Sequence, residues 1–494
     1  MKPGSILTTV FSLFLLGAFA QNTQSLVEET VTHSGVQAKI EFIASDELRG
    51  RDTPSPEQNI AAKYLATRMK EWGVKMAPGM DDYRQKVNFK NVTPPKSGEL
   101  IVKDSTYALG QDILLLDGSS ANLEAKVVFL DYGSEEDFAN AKVEGKIVVV
   151  RLGEKGEPNV RKAFRAGREK RVRAAENGAL ALVELYSTTQ ISWKIIKNYI
   201  GRSSISLDMG DEKEEGIPHL WLDDSYNTGA KFFAEKVKKA ELNIGGSTTE
   251  RFFAYNVIGM VEGTNPDLKD EVVVYSAHYD HVGVGQPDAN GDTIYNGTRD
   301  NGIGSITVLE AAHNIAKYPV DRTALFIFFT GEEKGLLGSE WFVEHPVVPL
   351  ESIVMCFNSD NAGYNDTSVT TIIGLERTTA TEAFMTAGDT YGLGTIPDQM
   401  PDQNLFDRSD QVSFAAKGIP AVMYTMGTTA FDDEVLKYYH QAGDNPDSVD
   451  YDYLFKFTKA YVHACRLVGN MPERPYWTEG DKYYEAGEEL YKTQ

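Results

Sequence analysis

Four apolar runs in the second half of the chain each end in residues that bind metals or carry protons, and this pattern restricts the fold more than any other feature. Val272-Val273-Val274-Tyr275-Ser276-Ala277 leads into His278-Tyr279-Asp280, and Ala324-Leu325-Phe326-Ile327-Phe328-Phe329 leads into Thr330-Gly331-Glu332-Glu333. Ile353-Val354-Met355-Cys356-Phe357 leads into Asn358-Ser359-Asp360, and the run from Ile419 to Tyr424 precedes a loop that reaches Tyr438-Tyr439-His440. Strand-like runs alternating with helical periods such as Ile303, Ile306, Leu309, Ala312 and Ile315 predict an α/β sheet with helices on its faces from Phe253 onward. In an open sheet of this kind, sites gather beyond the carboxyl ends of the strands, so the four ends are expected to converge although they lie far apart in sequence.

The residue types at those ends suit a metal centre. His278 and Asp280 are two apart and project from one side of an extended segment, so the Asp280 carboxylate is expected to accept the second ring N–H of His278. Asp300, in Gly297-Thr298-Arg299-Asp300-Asn301-Gly302, directly precedes a helix and would on its own read as a helix cap. Beside the acidic strand ends it becomes a candidate carboxylate bridging two metals. The side chains of Glu332 and Glu333 diverge, so one can join a metal shell while the other works on a water, and Gly331 lets the chain turn closely around the site. His440 supplies a second imidazole. His281 is set aside as too near His278 to be needed; His313 and His463 fall in helical runs, and His33, His219 and His345 show no acidic partner pattern. Two imidazoles and three carboxylates without a thiolate suit Zn²⁺, with Co²⁺ or Mn²⁺ as substitutes, better than Ca²⁺ or Mg²⁺.

These segments resemble the M28 family of co-catalytic zinc peptidases, which includes aminopeptidases and glutamate carboxypeptidases. The opening segment Leu48-Arg49-Gly50-Arg51 with Ala61-Ala62-Lys63-Tyr64-Leu65 is similar too, and the ligand motifs follow in the family's order. The resemblance implies two zinc ions per chain, one held by His278 and Asp360, the other by Glu333 and His440, with Asp300 bridging. It further implies Glu332 as general base and Tyr439 as the group that stabilises the oxyanion. Val143-Glu144-Gly145-Lys146-Ile147-Val148-Val149-Val150 and Ala174-Ala175-Glu176-Asn177-Gly178-Ala179 resemble a protease-associated (PA) domain inserted into the catalytic one. The expected architecture is a three-layer α/β/α sandwich with a mixed sheet, built from residues 27–120 and 240–475. A smaller β-rich insert over 121–239 interrupts it, and a tail runs over 476–494. Where many members read Ser-Asp-His after an Arg, this chain has Arg408-Ser409-Asp410-Gln411, a departure near the substrate pocket that costs no ligand.

Composition narrows the partners. With 49 basic and 72 acidic residues the chain carries a formal charge of −23, which disfavours nucleic acid by repulsion. The basic stretch Arg161 to Arg173 reads as the solvated face of a helix. Residues 1–20 carry Lys2, an apolar stretch to Phe19 and the small-x-small ending Ala18-Phe19-Ala20, an export signal cut before Gln21 that points to a secreted or periplasmic protein without a membrane anchor. Cys356 and Cys465 read as buried small hydrophobes rather than nucleophiles. The reading is therefore a di-zinc exopeptidase acting on peptides, an aminopeptidase before a carboxypeptidase. A carboxypeptidase needs a cation for the terminal carboxylate, and Arg299 and Arg408 stand close to motif positions, although Arg408 reads first as an ion-pair partner of Asp407 or Asp410. A one-zinc glutaminyl cyclase type of acyl transfer and a peptide-binding protein without turnover are the alternatives.

Overall fold

The computed structural model describes residues 23–156, 159–188, 190–210 and 216–492; the export segment lies outside them. The chain divides into two units, residues 1–87 with 253–494, and residues 88–252.

The first unit is built on a mixed sheet. Its strands are β1 (Arg84–Thr93), β2 (Thr248–Val261), β3 (Val272–His278), β4 (Thr323–Phe329), β5 (Ile353–Ser359), β6 (Val369–Ile373), β7 (Gly394–Pro397) and β8 (Ala421–Met426). They lie in the order β7-β6-β8-β5-β3-β4-β2-β1. β3 runs parallel to β4 and β5, and β5 parallel to β8, whereas β2 and β6 are antiparallel to their neighbours β4 and β8. The runs are apolar throughout because both sheet faces are covered. Val273, Tyr275, Ala277, Phe326 and Phe328 pack into one core with residues of the helices Pro56–Glu71, Gly304–Lys317 and Tyr451–Gly469. Val272, Val274, Leu325, Ile327 and Phe329 pack into the other with Phe342, Phe414 and Trp477. This is the expected three-layer α/β/α arrangement. Trp477 is buried and the helix Tyr484–Tyr491 leans Leu490 on the same core, so residues 476–492 are part of the unit rather than a tail. Cys356 and Cys465 are both buried and free.

The second unit holds an eight-stranded sheet whose middle strands, Ala121–Phe129, Lys146–Arg151, Ala181–Tyr186 and His219–Asp223, are parallel. It is wider than 121–239: Gly98–Val102 pairs with Lys239–Ile244, and Ile113–Asp117 pairs with His219–Asp223. The boundary moves because pairing between distant segments, not local texture, assigns those short strands. Arg165 and Arg168 on the helix Val160–Glu176 are exposed as expected, but Lys170 is buried against Glu184 at 2.8 Å. The same carboxylate lies 2.9 Å from His219 Nε2 and accepts from Trp221 Nε1, so His219 does have an acidic partner, one supplied by the neighbouring strand. A Cβ on Gly167 would stand 2.5 Å from Glu184 Oε2, which is why the helix carries glycine where it crosses this group. Among the described residues no helix is long and apolar enough to cross a membrane.

Candidate metal centre

The carboxyl ends of β3, β4 and β5, together with the segments bearing Asp300 and His440, meet in one cavity. His278, Asp300, Glu332, Glu333, Asp360, Tyr439 and His440 all line it. Asp300 is held outside helical geometry (φ −109°, ψ 94°), while Asn301 accepts from Gly304 N–H at 3.1 Å and takes over the capping of the helix behind it. The Asp300 carboxylate is thereby free to face the cavity. Gly331, at φ +69°, turns the chain off β4 so that Glu332 and Glu333 enter it from above. His440 occupies the left-handed region (φ 54°), a strain of about 1–2 kcal/mol for a non-glycine residue, of a size often stored at functional sites.

The side chains sort into two groups, His278 with Glu332 and Asp360, and His281 with Asp300, Glu333 and His440; within each, the candidate ligand atoms all lie within 4.8 Å of one another. His278 Nε2 is 3.2 Å from Asp360 Oδ1 and 3.4 Å from Asp300 Oδ1. His440 Nε2 is 3.1 Å from Asp300 Oδ2 and 3.2 Å from Glu333 Oε2. Asp300 therefore turns one oxygen to each group. Glu332 stands back, with Oε2 at 4.0 Å from His278 Nε2.

Three details depart from the sequence reading. Asp280 is buried behind His278, but the nearer acceptor for His278 Nδ1 is the Asp280 backbone carbonyl at 3.2 Å, with the carboxylate at 3.8 Å. That carboxylate is engaged by Thr53 Oγ1 at 3.1 Å and by Glu332 N–H at 3.3 Å, because the strand bends after His278 and swings it toward the β4 turn. His281 is not surplus. Its Nδ1 lies 2.8 Å from Glu333 Oε1, yet neither ring nitrogen nor that oxygen makes a hydrogen bond. Arg299, offered as a substrate cation, is instead buried on Asp444 (2.9 Å) and Ser448, tying the Asp300 segment to the loop that carries His440.

The electrostatics suit a cation-binding site. Burial alone would depress His278, but Glu332, Asp360 and Asp300 hold its pKa well above the ordinary value. Burial, opposed by His278 and reinforced by Asp360, Asp410 and Glu333, pushes the Glu332 carboxyl well above its usual range. Against burial and the charge of Asp300, His281 and His440 bring Glu333 down to about 2. Clustered carboxylates repel unless a cation holds them together, and buried atoms that make no hydrogen bond, such as His281 Nδ1 and Glu333 Oε1, can serve as metal ligands. The mixed imidazole and carboxylate set suits zinc. Tyr439 stacks on His440, and burial keeps its phenol raised and protonated at neutral pH, with Asp300 adding to the shift and Arg408 opposing it.

Beyond the two groups the cavity is walled by Ile373, Leu405, Met423 and Phe431, with Arg408 and Ser409 among its lining. Gln411 does not line it: its oxygen accepts from Asn358 Nδ2 at 3.0 Å and its nitrogen donates to the Phe406 carbonyl. The departure at that position is thus absorbed in hydrogen bonds beneath β5.

The model of peptidase family M28 matches residues 256–465. A probable leucine aminopeptidase 2 of Aspergillus oryzae is 27% identical over 254 residues, 45% of this chain and 46% of that relative, so less than half of its length is spanned. Aminopeptidase YwaD of Bacillus subtilis is 26% identical over 353 residues, 69% of this chain and 67% of the relative. Among solved structures, an aminopeptidase from Aneurinibacillus sp. strain AM-1 has a TM-score of 0.55 at 18% identity, covering 91% of this chain and 97% of that one, a likeness of fold. The segment that carries both groups of side chains is thus similar to peptidase family M28.

Proposed function

We propose that this protein is a zinc-dependent exopeptidase that removes the first residue of peptides, holding two zinc ions between His278, Asp360, Asp300, Glu333 and His440, with His281 as a further donor. The observation that carries the reading is the placement of Asp300, one oxygen toward each imidazole, with Glu332 left outside that bridge. Zinc bound there would polarise the scissile carbonyl and acidify the attacking water. Glu332, which lines the cavity and stands back from the His278 imidazole, takes the water's proton and passes it to the leaving amine. Tyr439, protonated, donates a hydrogen bond to the carbonyl oxygen as charge develops on it. The acidic surroundings hold the substrate's α-ammonium without an added residue. The N-terminal segment would export the chain, and we take the inserted unit to be of protease-associated type.

The test is Glu332→Gln. The variant is expected to retain zinc and to lose about 10²-fold or more in kcat, the scale of a general base. Normal hydrolysis by a fully metallated variant would refute the role. Mass spectrometry giving one zinc per chain would favour the cyclase type instead. Short peptides with blocked ends decide direction: N-acetylation should abolish release and C-amidation should not abolish it.

A further inference from the structure

Arg408 is the one side chain of the cavity whose charge the metal chemistry does not use. Its neighbours in sequence do not claim it. Asp407 is taken by Lys482 Nζ at 2.8 Å and by Tyr483, and Asp410 is fully buried with neither carboxylate oxygen hydrogen-bonded. Among the described residues Arg408 has no hydrogen bond, ion pair or aromatic ring against it, which overturns its reading as an ion-pair partner of Asp407 or Asp410. It is exposed, yet it lines the cavity beside the apolar wall of Ile373, Leu405, Met423 and Phe431, and its charge is felt at the Tyr439 phenol.

The four carboxylates that line the cavity, Asp300, Glu332, Glu333 and Asp360, would be balanced by two divalent ions. The guanidinium is then the net charge left there. An arginine keeps that charge at any working pH and offers a planar fork matched to a carboxylate. The apolar wall of Ile373, Leu405, Met423 and Phe431 accepts the methylene part of a ligand whose carboxylate reaches that fork.

Resting on the exopeptidase reading above, we infer that Arg408 makes the cavity prefer substrates bearing a carboxylate close to the scissile bond. Two sources share this chemistry, the side chain of an N-terminal acidic residue and the C-terminal carboxylate of a dipeptide. Both place an anion within a residue or so of the cleaved amide.

Calorimetry on the zinc-loaded Glu332→Gln chain, where turnover does not intrude, separates them. Leu-Gly is compared with Leu-Gly-amide, and Glu-Leu-amide with Gln-Leu-amide, with and without a second change, Arg408→Gln. The acid is expected to bind about 10-fold more tightly than its amide in at least one pair, and Arg408→Gln should erase that difference, the scale of one charge-assisted hydrogen-bonded contact. The pair that responds names the source. Equal affinity within both pairs, or a preference that survives Arg408→Gln, overturns the inference. Hydrolysis of Leu-Gly by the unaltered chain is scored separately: its absence together with a preserved acid preference would refute the exopeptidase reading and leave the Arg408 assignment standing.

Discussion

Replacing Arg51 by Met should loosen the candidate metal centre from behind without touching any of the proposed ligands. The side chain is fully buried, and its guanidinium donates to four backbone carbonyls: Ile43 and Asn296 at 2.6 Å, Tyr279 at 2.8 Å and Gly297 at 2.9 Å. Tyr279 lies between His278 and Asp280, and Asn296 and Gly297 lead into Asp300, so one planar group clamps the two segments that supply opposite sides of the site. Ile43 ends the helix His33–Ile43, which has no basic residue in its last turn, and Arg51 supplies the positive charge there. Burial lowers its pKa to about 10, with Asp280, Asp444, Asp300 and Glu333 sustaining it, so it stays charged at neutral pH. Hydrogen bonds from a charged donor contribute about 1.5 kcal/mol each at the low end, so four would amount to about 6 kcal/mol; relief of the buried charge offsets part of this, leaving about 3–5 kcal/mol lost. At about 2–3 °C per kcal/mol for a unit of this size, calorimetry should show its melting transition falling by about 6–15 °C. Zinc affinity, measured by chelator competition well below both transitions, should fall about 10- to 100-fold, as it does when groups that orient metal ligands are removed. Arg51→Lys keeps the charge but not the fork, so it should recover part of the stability and little of the affinity. Wild-type zinc affinity in Arg51→Met would refute the argument, because the ligand loops would then hold their places unaided.

His281→Gln should weaken retention of one of the two proposed zinc ions about 10-fold in the same competition assay, and unchanged affinity would reduce His281 to a packing residue. In the second unit, hydrogen bonding and charge from His219 and Lys170 outweigh burial and lower the Glu184 pKa from 4.5 to about 2. A depressed carboxyl contributes stability that is fully present above the unfolded value and is lost as pH falls through the folded one, so about 3 kcal/mol should disappear between pH 4.5 and 2. Glu184→Gln should abolish that slope in acid unfolding followed by circular dichroism, and at neutral pH it should cost about 3–5 kcal/mol by leaving Lys170 buried without its carboxylate. A variant with the wild-type acid slope would show that Glu184 does not carry it.

The three-layer core could be read in advance because each central strand is a short apolar run whose alternate residues fill opposite faces, as Val272 and Val274 do against Val273 and Tyr275. The limits of the insert could not, because Gly98–Val102 is too short to declare its sheet until its partner Lys239–Ile244 arrives in space. For the same reason Lys170 reads as one more solvated cation: its buried partner, Glu184, lies on a neighbouring strand.

At the site, the candidates named from strand ends and motif loops, His278, Asp300, Glu332, Glu333, Asp360, Tyr439 and His440, line one cavity, whereas His281, past the bend behind His278, was not legible. Alternation along an extended segment puts His278 and Asp280 on one side and makes a third residue redundant. The chain instead turns behind His278, with the His281 N–H held at 3.4 Å from the Arg51 carbonyl, and His281 enters the opposite group. That turn was hidden because the contact spans more than two hundred residues. Asp300 shows the converse. Asp and Asn are about equally good helix caps, so in Asp300-Asn301 nothing local says which one caps and which one faces the cavity. The fold divides the tasks through Asn301, whose oxygen caps the helix at Gly304 and whose nitrogen donates to the Ser359 carbonyl at 2.8 Å, anchoring the segment to the end of β5. Once Asn301 is fixed at both ends, the carboxylate before it has only the cavity to face.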